Sequence, residues 1–166
     1  MKRAVISAIA LAFLVPWAQS AATQDLAAQL VGVWKYKSLI NKELTTGKVT
    51  YPFGEKPPAG NLIYTKGGHV AFVLVGDNRK SPAGTNVTDA ERINLFNTMA
   101  AASGTYKLEG NTIIVTYEAS WNQSWTGITQ KRHFEIAGNE LTATSDPVKN
   151  LDGQDIVFVA TYERVE

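Results

Sequence analysis

The sequence predicts an all-β protein, an antiparallel up-and-down barrel of about eight or nine strands with one helix inserted at about residues 88–103. Three observations lead to this fold class: short segments with a period of two, turns rich in Gly and Asn between them, and a single stretch with helical spacing. Sequential hairpins favour antiparallel pairing, and closure into a barrel leaves no exposed sheet edge. A β-sandwich is the alternative, because periodicity alone does not separate the two architectures.

Each strand is predicted from alternation between two turn signals. One face of the first strand carries Trp34, Tyr36, Ser38 and Ile40. Gly47 marks the first turn, and Lys66-Gly67-Gly68 closes a hairpin between two later strands. The predicted strands are residues 34–40, 48–53, 61–65, 70–75, 105–109, 112–120, 128–136, 140–145 and 156–164.

One segment between these strands has the start, the spacing and the end of a helix. Thr88 and Glu91 form a capping box, in which a hydroxyl and a carboxylate satisfy free backbone amides. The apolar residues that recur at helical spacing are Ile93, Phe96, Met99 and Ala100. Because Gly104 ends this run, we predict a helix over about residues 88–103 and expect it to cap the opening of the barrel.

Length and composition indicate one folded domain. The 166 residues are 45% hydrophobic and 19% charged, which is ordinary for a globular protein. A formal net charge of +1 argues against a nucleic-acid partner. The sequence contains no cysteine, which excludes disulfides and thiol chemistry. Its two histidines leave little material for a histidine-rich metal site. We predict no cofactor and no metal site.

The first twenty-two residues have the three-part pattern of a secretory signal peptide. Lys2 and Arg3 form a basic start, a largely apolar run covers Ala4 to Val15, and small residues suited to cleavage follow at 18–22. Twelve residues are too short to span ~30 Å of hydrocarbon. We therefore expect cleavage, a mature domain over residues 23–166 without an integral membrane segment, and a bacterial periplasmic or secreted location, which agrees with the lack of disulfides.

Polar side chains on one predicted strand indicate a ligand site. Gln130 and Arg132 share a face with Phe134 and Ile136, so both should point inward. An inward guanidinium needs an anionic partner, because an isolated buried charge is costly. That partner is either Glu118 on the neighbouring strand or an anionic group of a ligand, and the sequence leaves both open.

Aromatic side chains supply the apolar part of the predicted site. Trp121 and Trp125 flank a short turn, and we place them at the rim of the barrel mouth rather than under the loop, because ligand sites favour aromatics. Tyr36 and Tyr64 are assigned to the same site. Cavity-lining and core aromatics look alike in a sequence.

A further aromatic residue is predicted to be structural. Trp34, near the start of the first strand, should plug the barrel floor, with the guanidinium of Arg164 across its face. Such a contact contributes ~0.5–2 kcal/mol.

Short motifs also occur along the chain in a family-specific order. Gly32-Val33-Trp34 matches the Gly-x-Trp signature of lipocalins. Further motifs follow it: Pro52-Phe53-Gly54, Gly60-Asn61-Leu62-Ile63-Tyr64-Thr65, Gly104-Thr105-Tyr106, Trp125-Thr126-Gly127 and Phe134-Glu135-Ile136. Over nearly all of Leu30 to Arg164 the set resembles the bacterial and fungal lipocalin-like domain family, a calycin-type small β-barrel. The resemblance implies an antiparallel barrel with an internal cavity.

The sequence predicts an exported protein that binds a small apolar or amphipathic molecule with a polar or acidic end. Arg132 and Gln130 would orient that end inside the barrel. The alternative is a lipocalin-like enzyme, an isomerase, cyclase or hydrolase, in which Arg132, Glu118 and a tyrosine act as acid–base groups. A protein-binding module or inhibitor is a third reading. The sequence has no nucleophile elbow and no phosphate-binding glycine loop, which favours binding over catalysis.

Overall fold

Eight antiparallel strands close into a barrel in the computed structural model, which describes residues 25–150 and 152–166. The strands are β1 (Gly32–Glu43), β2 (Val49–Thr50), β3 (Ala59–Tyr64), β4 (His69–Val75), β5 (Met99–Glu109), β6 (Thr112–Ser120), β7 (Thr129–Ala137), β8 (Glu140–Ser145), β9 (Val148–Lys149) and β10 (Asp155–Arg164). Their order in the sheet is β2-β1-β3-β4-β5-β6-β7-β8-β10-β9. Since β1 also pairs with β10, the ring closes, and β2 and β9 extend it. The barrel prediction is confirmed, and the predicted signal peptide lies outside the described residues.

The alternating strand directions give the barrel two different ends. The closed end carries the tight turns between β3 and β4, β5 and β6, and β7 and β8, together with helical residues 25–30. The open end carries the longer segments that follow Glu43, Val75, Ser120 and Ser145. A cavity inside such a barrel therefore has its mouth among the longer segments.

Trp34 closes the barrel floor, as the sequence predicts. Its side chain has no exposed surface, and its indole Nε1 donates a hydrogen bond of 2.8 Å to Leu30 O. The guanidinium carbon of Arg164 lies 4.1 Å from the centre of the indole ring. Arg164 also donates to the backbone oxygens of Val31 and Gln29. These contacts join the helical residues 25–30 to β1 and β10, the first and last strands of the closed ring.

A β-bulge in β1 changes which of its residues face the interior. Tyr36 pairs with Tyr162, but the register then shifts so that Ser38 pairs with Thr161. Lys37 is the extra residue, and after it the inward positions are odd-numbered rather than even-numbered. The expectation that Ser38 and Ile40 share a face with Trp34 is therefore wrong.

The inserted helix, α1, covers Asp89–Asn97 and is shorter than predicted. Thr88 caps it as expected: the hydroxyl accepts from the Glu91 amide, and the Glu91 carboxylate accepts from the Thr88 amide at 2.8 Å. None of its residues is buried. The helix therefore lies against the barrel without contributing to its core.

Residues 99–103 form part of β5 and not the end of the helix, so the predicted boundary is wrong. Gly104 is an interior strand residue beside a register shift between β5 and β6. A Cβ atom there would lie 2.0 Å from the backbone oxygen of Thr116, so the close approach of two strands requires glycine. The predicted strand 48–53 is also shorter, since only Val49–Thr50 pairs.

Candidate functional site

The barrel encloses a cavity of about 280 Å³. Within residues 25–150 and 152–166, twenty residues line it, of which nine are aromatic and one, Arg132, is charged. The volume is near the lower limit of ordinary small-molecule sites, and the mixture of many aromatic and few polar groups is typical of them. The cavity is the candidate binding site.

Six of the seven residues that the sequence assigned to a ligand site line this cavity. They are Tyr36, Tyr64, Trp121, Trp125, Gln130 and Arg132. Because they come from β1, β3, the β6–β7 connection and β7, only closure of the barrel brings them together. Their role in binding stays a prediction.

Glu118, the seventh, does not join the group. Its side chain is exposed, and on β6 the inward position belongs to the buried neighbour Tyr117. Glu118 is the extra residue of the register shift between β5 and β6, because Tyr117 pairs with Gly104 while Ala119 pairs with Ser103, and its exposed side chain lies outside the barrel. Among the ion pairs of the described chain none includes Arg132, so the suggested Arg132–Glu118 pair is wrong.

The guanidinium of Arg132 is half-buried and held by neutral groups. Nη2 donates to the amide oxygen of Gln130 at 2.5 Å, and Nη1 donates to the backbone oxygen of Lys131 at 3.2 Å. The hydroxyl of Tyr117 donates to the same Gln130 oxygen at 3.5 Å. Gln130 thus orients the guanidinium without neutralising its charge.

Buried phenols surround the guanidinium. Burial raises the pKa of Tyr64 well above its ordinary value, and burial raises the pKa of Tyr162 to about 12. Burial also raises the pKa of Tyr117, and the nearby charge of Arg132 acts in the opposite direction on all three phenols. These hydroxyls therefore keep their protons at neutral pH and can donate hydrogen bonds to an anion.

Tyr36 is a fourth buried phenol, and its strand β1 lies between β10, which carries Tyr162, and β3, which carries Tyr64. It pairs with Tyr162 across β1 and β10, with ring centres 4.7 Å apart. Burial, followed by the proximity of Tyr162, raises the pKa of Tyr36 well above its ordinary value. Tyr36 is therefore also neutral and protonated.

A chain of aromatic rings leads from the cavity to its open end. Tyr117 stacks on Trp125 at 5.9 Å, and Trp125 meets Trp121 edge-on at 4.7 Å. The Trp121 indole donates to the backbone oxygen of Phe96 in α1 at 3.2 Å. Both tryptophans are half-buried and line the cavity next to the β6–β7 connection, where the sequence placed a rim.

The helix does not cover the cavity, contrary to expectation. No residue of α1 belongs to the cavity lining in the described chain, and Phe96 of the helix contacts the lining residue Trp121. Pro52 and Phe53 from the β2–β3 connection line the open end instead. The amide of Asp77 donates to the backbone oxygen of Phe53 at 3.1 Å and so holds this segment in place.

Five aromatic lining residues were not predicted from the sequence: Phe53, Phe72, Tyr117, Phe158 and Tyr162. Tyr117 lies two residues after Val115, and Tyr162 lies two residues before Arg164, so the period of two along each strand indicated the face of both tyrosines. Phe53 lies within the turn between Tyr51 and Gly54 and carries no such signal. Its position depends on the contact with Asp77.

A closed antiparallel barrel around an aromatic cavity defines a lipocalin-like protein. The chain belongs to the family described as lipocalin-like domain, whose model matches residues 31–165. No curated protein matches the chain. It is similar to a crystal structure of an uncharacterized protein from Bacteroides eggerthii DSM 20697, with 14% identity and a TM-score of 0.37, over 78% of this chain and 98% of that chain. A lipocalin-like barrel suggests small-molecule binding in general.

Two structural features are not found within residues 25–150 and 152–166. No helix there combines the length and the apolar character needed to cross a membrane. The same part of the chain holds no group of three or more His, Asp or Glu side chains placed to bind a metal ion.

Proposed function

We propose that this protein binds a small, mostly apolar molecule that carries one acidic group, and that Arg132 binds the acidic group. The observation that carries the proposal is a half-buried guanidinium inside an aromatic cavity, with no carboxylate partner in the described chain. A charge in such a place is costly unless an opposite charge compensates it. A ligand anion supplies that compensation.

The groups around Arg132 favour a carboxylate. A guanidinium presents two parallel N–H donors that match the two oxygens of a carboxylate. The protonated phenols of Tyr64, Tyr117 and Tyr162 offer further donors. Because Arg132 is the one charged lining residue in the described part of the chain, a single negative charge balances the cavity.

The remaining lining suits an apolar body. Leucine, valine and aromatic side chains cover most of the wall, and Ala143 and Ala160, a cross-strand pair on β8 and β10, leave space in the centre. Burial of apolar ligand surface there contributes roughly 25 cal/mol per Å². We include export in the proposal, on the basis of the predicted signal peptide.

Binding is supported better than catalysis. The carboxylate suggested for acid–base work, Glu118, lies outside the barrel. The phenols inside it have a raised pKa and are therefore poor proton acceptors near neutral pH. Among the described lining residues, none is a His, Asp or Glu that could act as a general base near neutral pH.

The test is a titration of the protein with dodecanoate and with cinnamate. Binding is measured by the change in tryptophan fluorescence, because Trp121 and Trp125 line the cavity. We expect Arg132→Gln to weaken binding by about thirtyfold, roughly 2 kcal/mol, because a charge-assisted hydrogen bond is lost in a shielded site. Lys131→Gln removes the same charge from the exposed neighbouring position and should bind like the parent.

Thermal unfolding of the same variants separates binding from folding. Arg132→Gln should be as stable as the parent or more stable, because it removes a charge that no protein anion balances. Failure of the parent to bind either acid, or equal binding by Arg132→Gln, would contradict the proposed function. A stability loss of several kcal/mol would instead indicate a structural role for Arg132.

A further inference from the structure

A second cavity of about 480 Å³ adjoins the first at the open end, and Phe158 lines both. This upper chamber is lined by Asn41 and Glu43 of β1, Ile156 and Phe158 of β10, Lys48 next to β2 and Lys149 of β9, among others. Leu39, two residues before Asn41, lines the first cavity. The two cavities therefore follow one another along the inner face of β1.

Two acceptor groups inside the upper chamber lack adequate donors. The side-chain oxygen Oδ1 of Asn41 is buried and accepts no hydrogen bond from the described chain. The side chain of Glu43 is 6% exposed, and its hydrogen-bond partner in the described chain is the Thr46 hydroxyl, at 2.5 Å. Native structures rarely leave a buried acceptor unpaired, since that costs free energy.

The bulge at Lys37 is the reason these groups face inward. Without it, Asn41 and Glu43 would be on the outer face of β1, together with Lys35 and Lys37. The chain thus places an amide oxygen and a carboxylate, two residues apart, on the face that lines the barrel interior.

The charges around the chamber favour a cationic donor. Glu43 takes part in none of the ion pairs found in residues 25–150 and 152–166. Both lysines of the chamber are exposed at its mouth, and Lys149 is bound to Asp155 at 2.9 Å. The buried charge is therefore negative, and an ammonium group donates to both acceptor oxygens and balances that charge.

Arg132 and Asn41 lie in one row of the sheet. Arg132 pairs with Ser145, the Ser145 hydroxyl accepts from the Phe158 amide at 2.9 Å, and Phe158 pairs with Asn41. Three strand spacings of ~4.8 Å separate the ends of this row, about 14 Å along the wall. A ligand of moderate length can reach the guanidinium and the chamber acceptors together.

We propose that the upper chamber binds a primary ammonium group, so that the ligand is an amphoteric molecule with an acid at one end, an amine at the other and an apolar chain between them. This assignment rests on the proposed function for the acidic end. The ammonium donates to Asn41 Oδ1 and to the Glu43 carboxylate. Phe158, which lines both cavities, contacts the apolar chain.

Three probes of equal chain length test the assignment: dodecanoate, ω-aminododecanoate and dodecylamine. We expect the parent to bind ω-aminododecanoate at least tenfold more tightly than Glu43→Gln does, while both bind dodecanoate equally. Glu118→Gln removes the same charge from the outer face and should bind all three probes like the parent. Asn41→Leu should weaken binding of ω-aminododecanoate without lowering the melting temperature, because it removes an unpaired acceptor.

The outcomes separate this assignment from the proposed function. If dodecanoate binds through Arg132 while ω-aminododecanoate binds more weakly and without dependence on Glu43, the proposed function stands and the ammonium site is wrong. If dodecylamine binds through Glu43 while dodecanoate is rejected, the ammonium site stands and the acid-binding function is wrong. Rejection of all three probes overturns both.

Discussion

Trp34 stabilises the closed end of the barrel through several contacts at once. Its side chain is fully buried, its indole nitrogen donates to Leu30 O, and Arg164 covers its ring. Arg164 is in turn fixed by backbone oxygens before β1, among them Val31 O at 2.9 Å. The indole of Trp34 therefore links β1 and the helical residues 25–30 before it to β10, which is distant in sequence.

We expect Trp34→Ala to lower the free energy of unfolding by roughly 3–5 kcal/mol, as for other large buried aromatics. Arg164→Ala should cost less. The two losses should not add in a double-mutant cycle, because the side chains are in contact. Denaturant unfolding of the parent, both single variants and the double variant measures the coupling, and additive losses would contradict the contact.

At the scale of elements, α1 depends on its caps more than on packing. None of its residues is buried, and its last turn is held from outside by Arg79, whose guanidinium donates to Leu95 O at 2.7 Å. Amides of Ala83 and Thr88 donate to the Glu91 carboxylate and lower its pKa. Because the pKa is lowered in the folded state, the ionised Glu91 carboxylate stabilises the fold at pH values above its ordinary pKa of 4.5. This contribution is lost as the pH falls through the folded pKa.

Thr88→Ala should destabilise α1 by ~0.5–2 kcal/mol, because the hydroxyl that accepts from the Glu91 amide is lost. Hydrogen exchange of the amides in residues 89–97 measures the local effect, and the denaturant midpoint of the whole protein measures the global one. Thr88→Ser keeps the cap and serves as the control. Equal exchange and an equal midpoint in Thr88→Ala and the parent would show that Thr88 does not stabilise the helix.

At the scale of the whole molecule, four buried phenols make the fold sensitive to alkali. Unfolded tyrosines ionise near pH 10, whereas burial raises the pKa of Tyr162 to about 12. A raised folded pKa means that the contribution to stability is complete below about pH 10 and is lost as pH rises towards 12. For Tyr162 this loss corresponds to about 3 kcal/mol, since each pKa unit is about 1.4 kcal/mol.

We therefore expect the denaturant midpoint to stay constant up to about pH 9 and to fall above about pH 10. Tyr162→Phe has no ionisable hydroxyl and should show a shallower fall from its own starting value. Tyr51→Phe, at an exposed position, should follow the parent. Identical pH profiles for Tyr162→Phe and the parent would mean that Tyr162 ionises as easily in the folded state as in the unfolded chain.

Export is a separate prediction for the whole molecule. After expression in a bacterium, the mature chain in the periplasm or medium should begin at Ala21 or Thr23, which N-terminal sequencing determines. Leu14→Arg interrupts the apolar run and should leave uncleaved protein in the cytoplasm. Exported protein that still begins with Met1 would contradict the signal peptide.

Local patterns in the sequence were sufficient for most strands and for the inward direction of Gln130 and Arg132. The direction of these two side chains follows from a period of two that continues without interruption through β7. The same rule failed in β1 after Tyr36, where one extra residue reverses the faces. A bulge depends on the register of the partner strand, and that register is not a local property.

The sequence by itself determined an antiparallel sheet of short strands, the capped start of α1 and the inward guanidinium, because these follow from alternation, turn residues and capping residues within a few positions. Only the tertiary structure decided that Glu118 lies outside, that the helix ends at Asn97, and that Asn41 and Glu43 face the interior. The pairing of β1 with β10 closes the barrel, and closure determines which side chains share the cavity. The physical reason is that hydrogen bonds between distant strands set the register and the bulges.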